Sequence, residues 1–214
     1  MITNEVGADR VAVQFDDLAQ QEDAATFAMW IFLATEVLFF GGLFLAYAVY
    51  RMTYPQAFVS ASDSLDAKLG TLNTAILLTS SFTMALAVKA SRERKFAPSA
   101  RYMFLTVLIG SMFLAVKAFE YREDFEKKLF AGSHLAPGSS HGVAIFYSLY
   151  YSMTGLHAVH LTIGLCLITF FAWRTLKRKT SAGQIETLGL YWHFVDLVWV
   201  FLYPLLYLIG SQRK

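Results

Sequence analysis

Charge is what this sequence is short of: only 16% of its 214 residues are Asp, Glu, Lys or Arg, where a soluble domain carries about 25%. Cysteine is nearly missing as well. The single Cys166 lies in an apolar run, so no disulfide framework can form and the thiol reads as a small hydrophobe. No cysteine cluster and no C-x-x-C-H motif is present to hold zinc or attach haem. The N-terminal stretch "MITNEVGADRVAVQFDDLAQQED" lacks both a basic start and a cleavable apolar core, so it is not expected to be a signal peptide. Short alternating segments, the mark of a membrane β-barrel, are also missing. The net charge of +2 carries no information about nucleic acid.

What is present is apolar sequence, 56% of the chain. Five runs approach or exceed the roughly 18 residues needed to cross a bilayer, at about 27–50, 72–88, 102–119, 143–173 and 190–209. Continuous runs of this length must close their backbone hydrogen bonds internally, which predicts helices. The expected fold is therefore all-α: a polytopic membrane bundle of five transmembrane helices, made of an acidic N-terminal tail over residues 1–25 and a membrane domain over 26–214. The linker after the second run carries Lys89, Arg92, Arg94, Lys95 and Arg101 against Glu93, and the linker after the fourth carries Arg174, Lys177, Arg178 and Lys179 against Glu186. The positive-inside rule places both in the cytoplasm, with the N-terminus inside and the C-terminus outside. No internal repeat and no pair of half-helices of the transporter kind is evident. Pro204 should bend the last helix locally, and the linker ending "APGSSHG" reads as loop.

Ionisable side chains at membrane depth are costly, so each is a candidate site. Glu36 sits mid-span in "WIFLATEVLFFGG", either as a proton-carrying or lipid-contacting carboxyl or as a polar packing group. Lys117 and Glu120, three apart, can pair on one helix face near the outer end of the third span, where a snorkelling lysine is ordinary. His157 and His160 in "TGLHAVHLTIGL" are also three apart. Helical zinc pairs are spaced by four with a glutamate between, and no carboxylate set completes a shell, so interhelical hydrogen bonding of ~0.6 kcal/mol is the better reading. In "YWHFVDLVWVFLYPLLY", Asp196 lies one turn from His193 and could fix its tautomer. Gly41, Gly42, Gly155 and Gly164 would let helix backbones approach.

"WIFLATEVLFFGGLFLAY", "LNTAILLTSSFTMALAV", "GSMFLAVKAFEY", "TGLHAVHLTIGL" and "YWHFVDLVWVFLYPLLY" together resemble, in order, five segments of subunit III of haem–copper terminal oxidases. The resemblance runs from about residue 25 to the end. It implies a non-catalytic accessory subunit of a cytochrome c oxidase in aerobic respiration. Such a subunit binds no metal itself, packs beside oxidase subunits I and II that carry haem and copper, holds structural phospholipids, and supports proton uptake. A surrounding respiratory supercomplex is compatible with it, and the expected location is a bacterial-type cytoplasmic membrane. By the same resemblance Glu36 matches a carbodiimide-reactive membrane glutamate. His157 and His160 fall on lipid or proton-uptake positions, and His193 and Asp196, with Glu120 and Lys117, on a polar packing seam.

Two departures stand out. Longer relatives have seven helices, and this chain begins at what would be their third, so one wall of the lipid cleft would come from elsewhere. Lys117 also replaces a neutral amide found in many relatives. Subunit III of a quinol oxidase and the subunit III-like protein of nitric oxide reductase are close alternatives. The glutamate in "ATEVLFF" favours the cytochrome c branch. An independent haem protein built on the histidines, or a small transporter using Glu36, belongs to a different class.

Overall fold

The structure, a computed structural model, describes residues 14–126 and 140–209. The first part of the N-terminal tail and most of the "APGSSHG" linker lie outside the described residues. Among the described residues six helices form and no strand. They are α1 Leu18–Thr53, α2 Pro55–Asp63, α3 Ala67–Arg92, α4 Phe96–Glu126, α5 His141–Leu176 and α6 Ala182–Tyr207. All but α2 are long and apolar enough to cross a membrane, and the protein is a multi-pass membrane protein.

The long helices overrun the apolar runs that define them. The 36 residues of α1 correspond to about 54 Å at 1.5 Å per residue, against a hydrocarbon core of about 30 Å. Their ends therefore stand in the headgroup region and in water, where polar caps take over. Asp17 accepts the backbone N–H of Gln20 at the start of α1, and Asp66 accepts those of Lys68 and Leu69 at the start of α3. Ser181 and Gln184 form a reciprocal capping box on α6.

Two helices end in the same left-handed turn. Arg94 has φ 57° and Arg178 φ 54°. Behind α3, Lys95 N–H donates to Ala90 C=O and Arg94 N–H to Ser91 C=O, both at 2.9 Å; behind α5, Lys179 and Arg178 repeat the pattern onto Arg174 and Thr175. This is the Schellman ending, with arginine where glycine is usual.

The short α2 lies in the 51–71 connection, which sequence reasoning treated only as a charge-balanced loop. Pro55 sits in its first turn, where a missing N–H costs nothing, and Phe58 and Ala61 are buried. Its Ser62 hydroxyl donates to Leu206 C=O at 2.7 Å, and Tyr47 of α1 donates to Leu205 C=O at 2.5 Å. These two side chains satisfy carbonyls of the last turn of α6, which lack helical partners. The α6 helix runs through Pro204 to Tyr207.

Helices α3, α4, α5 and α6 pack in a ring, α1 lies along the α5 and α6 side of it, and α2 folds against α5. Trp192 is the centre of the ring's close packing: a Cβ at Gly110 of α4 or Gly164 of α5 would stand 3.0 Å from its ring. Of the four glycines expected to admit close approach, only Gly164 does so. A Cβ at Gly41, Gly42 or Gly155 would meet nothing within 4 Å.

Candidate functional site

The α1–α5 seam brings together two residues 124 apart in sequence. Glu36 Oε2 lies 3.1 Å from His160 Nε2, and the two side chains keep 17% and 16% of their surface exposed. His160 Nδ1 lies 2.8 Å from Leu156 C=O on its own helix. A carbonyl can only accept, so Nδ1 carries a hydrogen. The contact to Glu36 therefore holds one proton, placed either on the carboxyl with a neutral imidazole or on an imidazolium facing a carboxylate. Tyr191 of α6 donates to His160 C=O at 2.9 Å, and the edge of the Phe40 ring packs on the imidazole. These contacts fix the histidine from three helices.

His157, one turn earlier, is placed differently. It is 1% exposed, and among the described residues neither ring nitrogen finds a hydrogen-bond partner. It packs between aromatic rings, with centroids 5.6 Å from Phe113 and 5.3 Å from Trp199. The interhelical hydrogen bond expected of it is not formed; its contribution to the bundle is ring packing. The i, i+3 spacing turned the two histidines towards different helices.

The expected His193–Asp196 pair is also not formed. His193 Nδ1 lies 2.6 Å from Ser81 Oγ of α3. Asp196 is buried, and its carboxylate oxygens complete no hydrogen bond among the described residues, although Ser81 lies close enough to act on it. Ser81 on the neighbouring helix takes the imidazole instead.

Lys117 and Glu120 do pair, at 3.1 Å, but not as a snorkelling surface couple: each is 3% exposed. Two tyrosines from other helices enclose the pair. Lys117 Nζ donates to Tyr150 OH at 2.9 Å and Tyr207 OH at 2.6 Å as well as to Glu120, which uses all three ammonium hydrogens. Glu120 Oε1 accepts from Tyr150 at 2.9 Å and from Tyr207 at 2.5 Å. Nζ also lies 4.9–5.3 Å from the ring centroids of Tyr121, Tyr150, Trp199 and Tyr207. A buried charge pair is tolerated only with such full satisfaction. Nearby, Tyr121 bonds Thr154 at 2.6 Å and Tyr151 donates to Asp124 at 3.3 Å.

Sequence reasoning missed Ser81, Tyr150 and Tyr207. Their only signal was a polar tip inside a predicted span, which is too common to single them out. Among the described residues no three of His, Cys, Asp and Glu converge as a set of metal ligands. What the side chains can do is hold a proton at Glu36–His160 and lock three helices at Lys117–Glu120.

Five helices long and apolar enough to cross a membrane, with polar side chains paired across their seams, define a multi-pass helical membrane bundle. Residues 17–211 match the sequence profile of cytochrome c oxidase subunit III, and the chain belongs to that family. It is 35% identical over 191 residues to cytochrome c oxidase subunit 3 of Synechocystis sp., covering 87% of this chain and 76% of that protein. It is 28% identical over 199 residues to a probable quinol oxidase subunit 3 of Staphylococcus saprophyticus, covering 91% and 94%. It is also 29% identical over 197 residues to a haem–copper oxidase subunit I+III of Aeropyrum pernix, covering 88% of this chain and 23% of that longer polypeptide.

Proposed function

We propose that this chain is the accessory subunit III of a haem–copper cytochrome c oxidase, seated in a bacterial-type cytoplasmic membrane with its N-terminus inside. It carries out no redox step. It packs beside subunits I and II, which hold the haem and copper, retains structural phospholipids, and sustains proton uptake by the catalytic core. The observation that carries this reading is the Glu36–His160 contact, one shareable proton on a partly exposed face of a family member. A relative that joins subunits I and III in one polypeptide supports placement beside subunit I.

Glu36→Gln keeps the shape and removes the shareable proton. In the purified complex, the variant is expected to take up protons more slowly or to lose activity within fewer turnovers, with its haem spectrum unchanged. A lost haem or copper signal, or wild-type uptake and lifetime, would overturn the assignment. The relative named as a quinol oxidase subunit supports a second reading, in which the electron donor is a quinol. Oxygen uptake by the complex with reduced cytochrome c and with a reduced quinol separates the two.

A further inference from the structure

Lipid supplies no hydrophobic drive for one helix to stay on another, so a membrane helix is held by close packing and polar contacts. Helix α1 has little of the first: 11% of its apolar stretch is buried inside the protein, against 28–56% for the other four long helices. Glu22, Met29, Leu33, Glu36, Phe40 and Tyr47 are all at least half-buried and follow one another at steps of three, four or seven, so they form one stripe of the helix. Three polar contacts lie along that stripe. Tyr47 reaches Leu205 C=O towards the C-terminal end of α1, Glu36 meets His160 in the middle, and Glu22 touches α6 near the start.

The Glu22 contact is built around a missing side chain. A Cβ added to Gly183, in the first turn of α6, would stand 2.8 Å from Glu22 Cδ and 2.9 and 3.1 Å from its two carboxylate oxygens. Glycine is what lets the carboxylate lie this close. The first N–H groups of a helix lack helical acceptors and carry partial positive charge. Ser181 accepts the one on Gln184 at 3.2 Å, and the Glu22 carboxylate covers the turn beside it. Arg174 and Lys179 border the same cleft, which adds to the positive field there. Glu22 itself forms no ion pair among the described residues.

We propose that Glu22 is a positioning residue for the Glu36–His160 contact: its carboxylate clasps the first turn of α6 and so holds α1 where Glu36 reaches His160. The proposal rests on the reading of that contact as a proton-holding site. Glu22 stands two heptads before Glu36, about 21 Å along the helix and on the same face. With the clasp closed, α1 is pinned on both sides of Glu36. With it open, the N-terminal half of α1 becomes a lever that pivots at the contact itself. That contact measures 3.1 Å, and a hydrogen bond is lost beyond about 3.5 Å, so a small tilt is enough to break it.

The test uses the whole purified complex and reads the Glu36 carboxyl band by infrared spectroscopy, the band being identified by its loss in Glu36→Gln. Glu22→Gln keeps the shape and removes the charge. Gly183→Ala leaves Glu22 in place and pushes its carboxylate aside. Each is expected to raise the fraction of Glu36 absorbing at higher frequency, as a carboxyl without its imidazole partner, by about fivefold, the equilibrium factor of one hydrogen bond. Each should also slow proton uptake towards the Glu36→Gln rate. Glu22→Lys, which sets like charge on the helix terminus, should shift more of the band than Glu22→Gln. Asp23→Asn, at the exposed neighbouring position, should leave the band unchanged. Glu22→Gln added to Glu36→Gln should slow uptake no further than Glu36→Gln alone. A wild-type band in both Glu22→Gln and Gly183→Ala would overturn the proposal, and so would uptake losses that add in the double variant. If Glu36→Gln itself leaves uptake and lifetime unchanged, the proton-site reading falls, while the infrared band still decides whether Glu22 holds the contact.

Discussion

Single residues in this protein are read best through the partners that satisfy them. Glu36 and Lys117 both announce themselves in the sequence as charges in apolar runs, yet nothing in the sequence names His160, Tyr150 or Tyr207 as their partners. Those contacts span 124, 33 and 90 residues and depend on how helices pack. The Lys117–Glu120 pair was legible from its spacing, but its burial was not, because the tyrosines that enclose it come from α5 and α6. A pair of this kind responds unevenly to mutation. Lys117→Met leaves Glu120 buried without its counter-charge and is expected to cost about 3–5 kcal/mol. Lys117→Met combined with Glu120→Gln removes both charges and should recover a large part of that loss. Thermal unfolding in detergent, read as a double-mutant cycle, measures the difference; equal losses in the single and double variants would contradict the enclosed ion pair.

Helices were legible where burial was not required to see them. Long apolar runs marked all five spans, since hydropathy alone decides whether a segment can leave water. Their true ends were not marked by hydropathy, because capping residues and water-exposed turns carry them past the apolar core. The short α2 had one local sign, the proline at its start, but nine residues of mixed polarity give no usable period. The arginine-terminated Schellman turns make a prediction at this scale. An L-residue held at positive φ costs roughly 1–2 kcal/mol. Arg94→Gly or Arg178→Gly is accordingly expected to stabilise the fold by about 1 kcal/mol, a rise of roughly 2–4 °C in melting temperature for a chain of this size. A fall in melting temperature would mean that the arginine side chains contribute more than their backbones cost.

At the scale of the molecule, the described residues form a ring of four helices with α1 laid along one side and the short α2 folded against α5, and basic residues gather at one end. Basic residues gather between α3 and α4 and between α5 and α6. The proposed orientation, which rests on the positive-inside rule, puts both linkers in the cytoplasm. In a Cys166→Ser background, Lys95→Cys and Lys179→Cys are expected to react with a membrane-impermeant thiol reagent only after cells are opened. Ser140→Cys, at the opposite end of α5, should react in intact cells. The reverse pattern would invert the orientation. Which outward faces meet lipid and which meet other subunits was invisible in the sequence, because both surroundings select the same apolar side chains.

The last turn of α6 is capped by Tyr47 and Ser62, side chains made long before it. During synthesis the ring waits for its final member, since α6 supplies Trp192 to the gap between Gly110 and Gly164 and Tyr207 to the Lys117 network. Until that helix enters the bilayer, an ammonium and a carboxylate on α4 are exposed to lipid without their full complement of partners. Arrest of translation before residue 182 would thus leave a conspicuous polar lesion in the membrane, a feature by which quality-control proteases could tell an unfinished chain from a finished one.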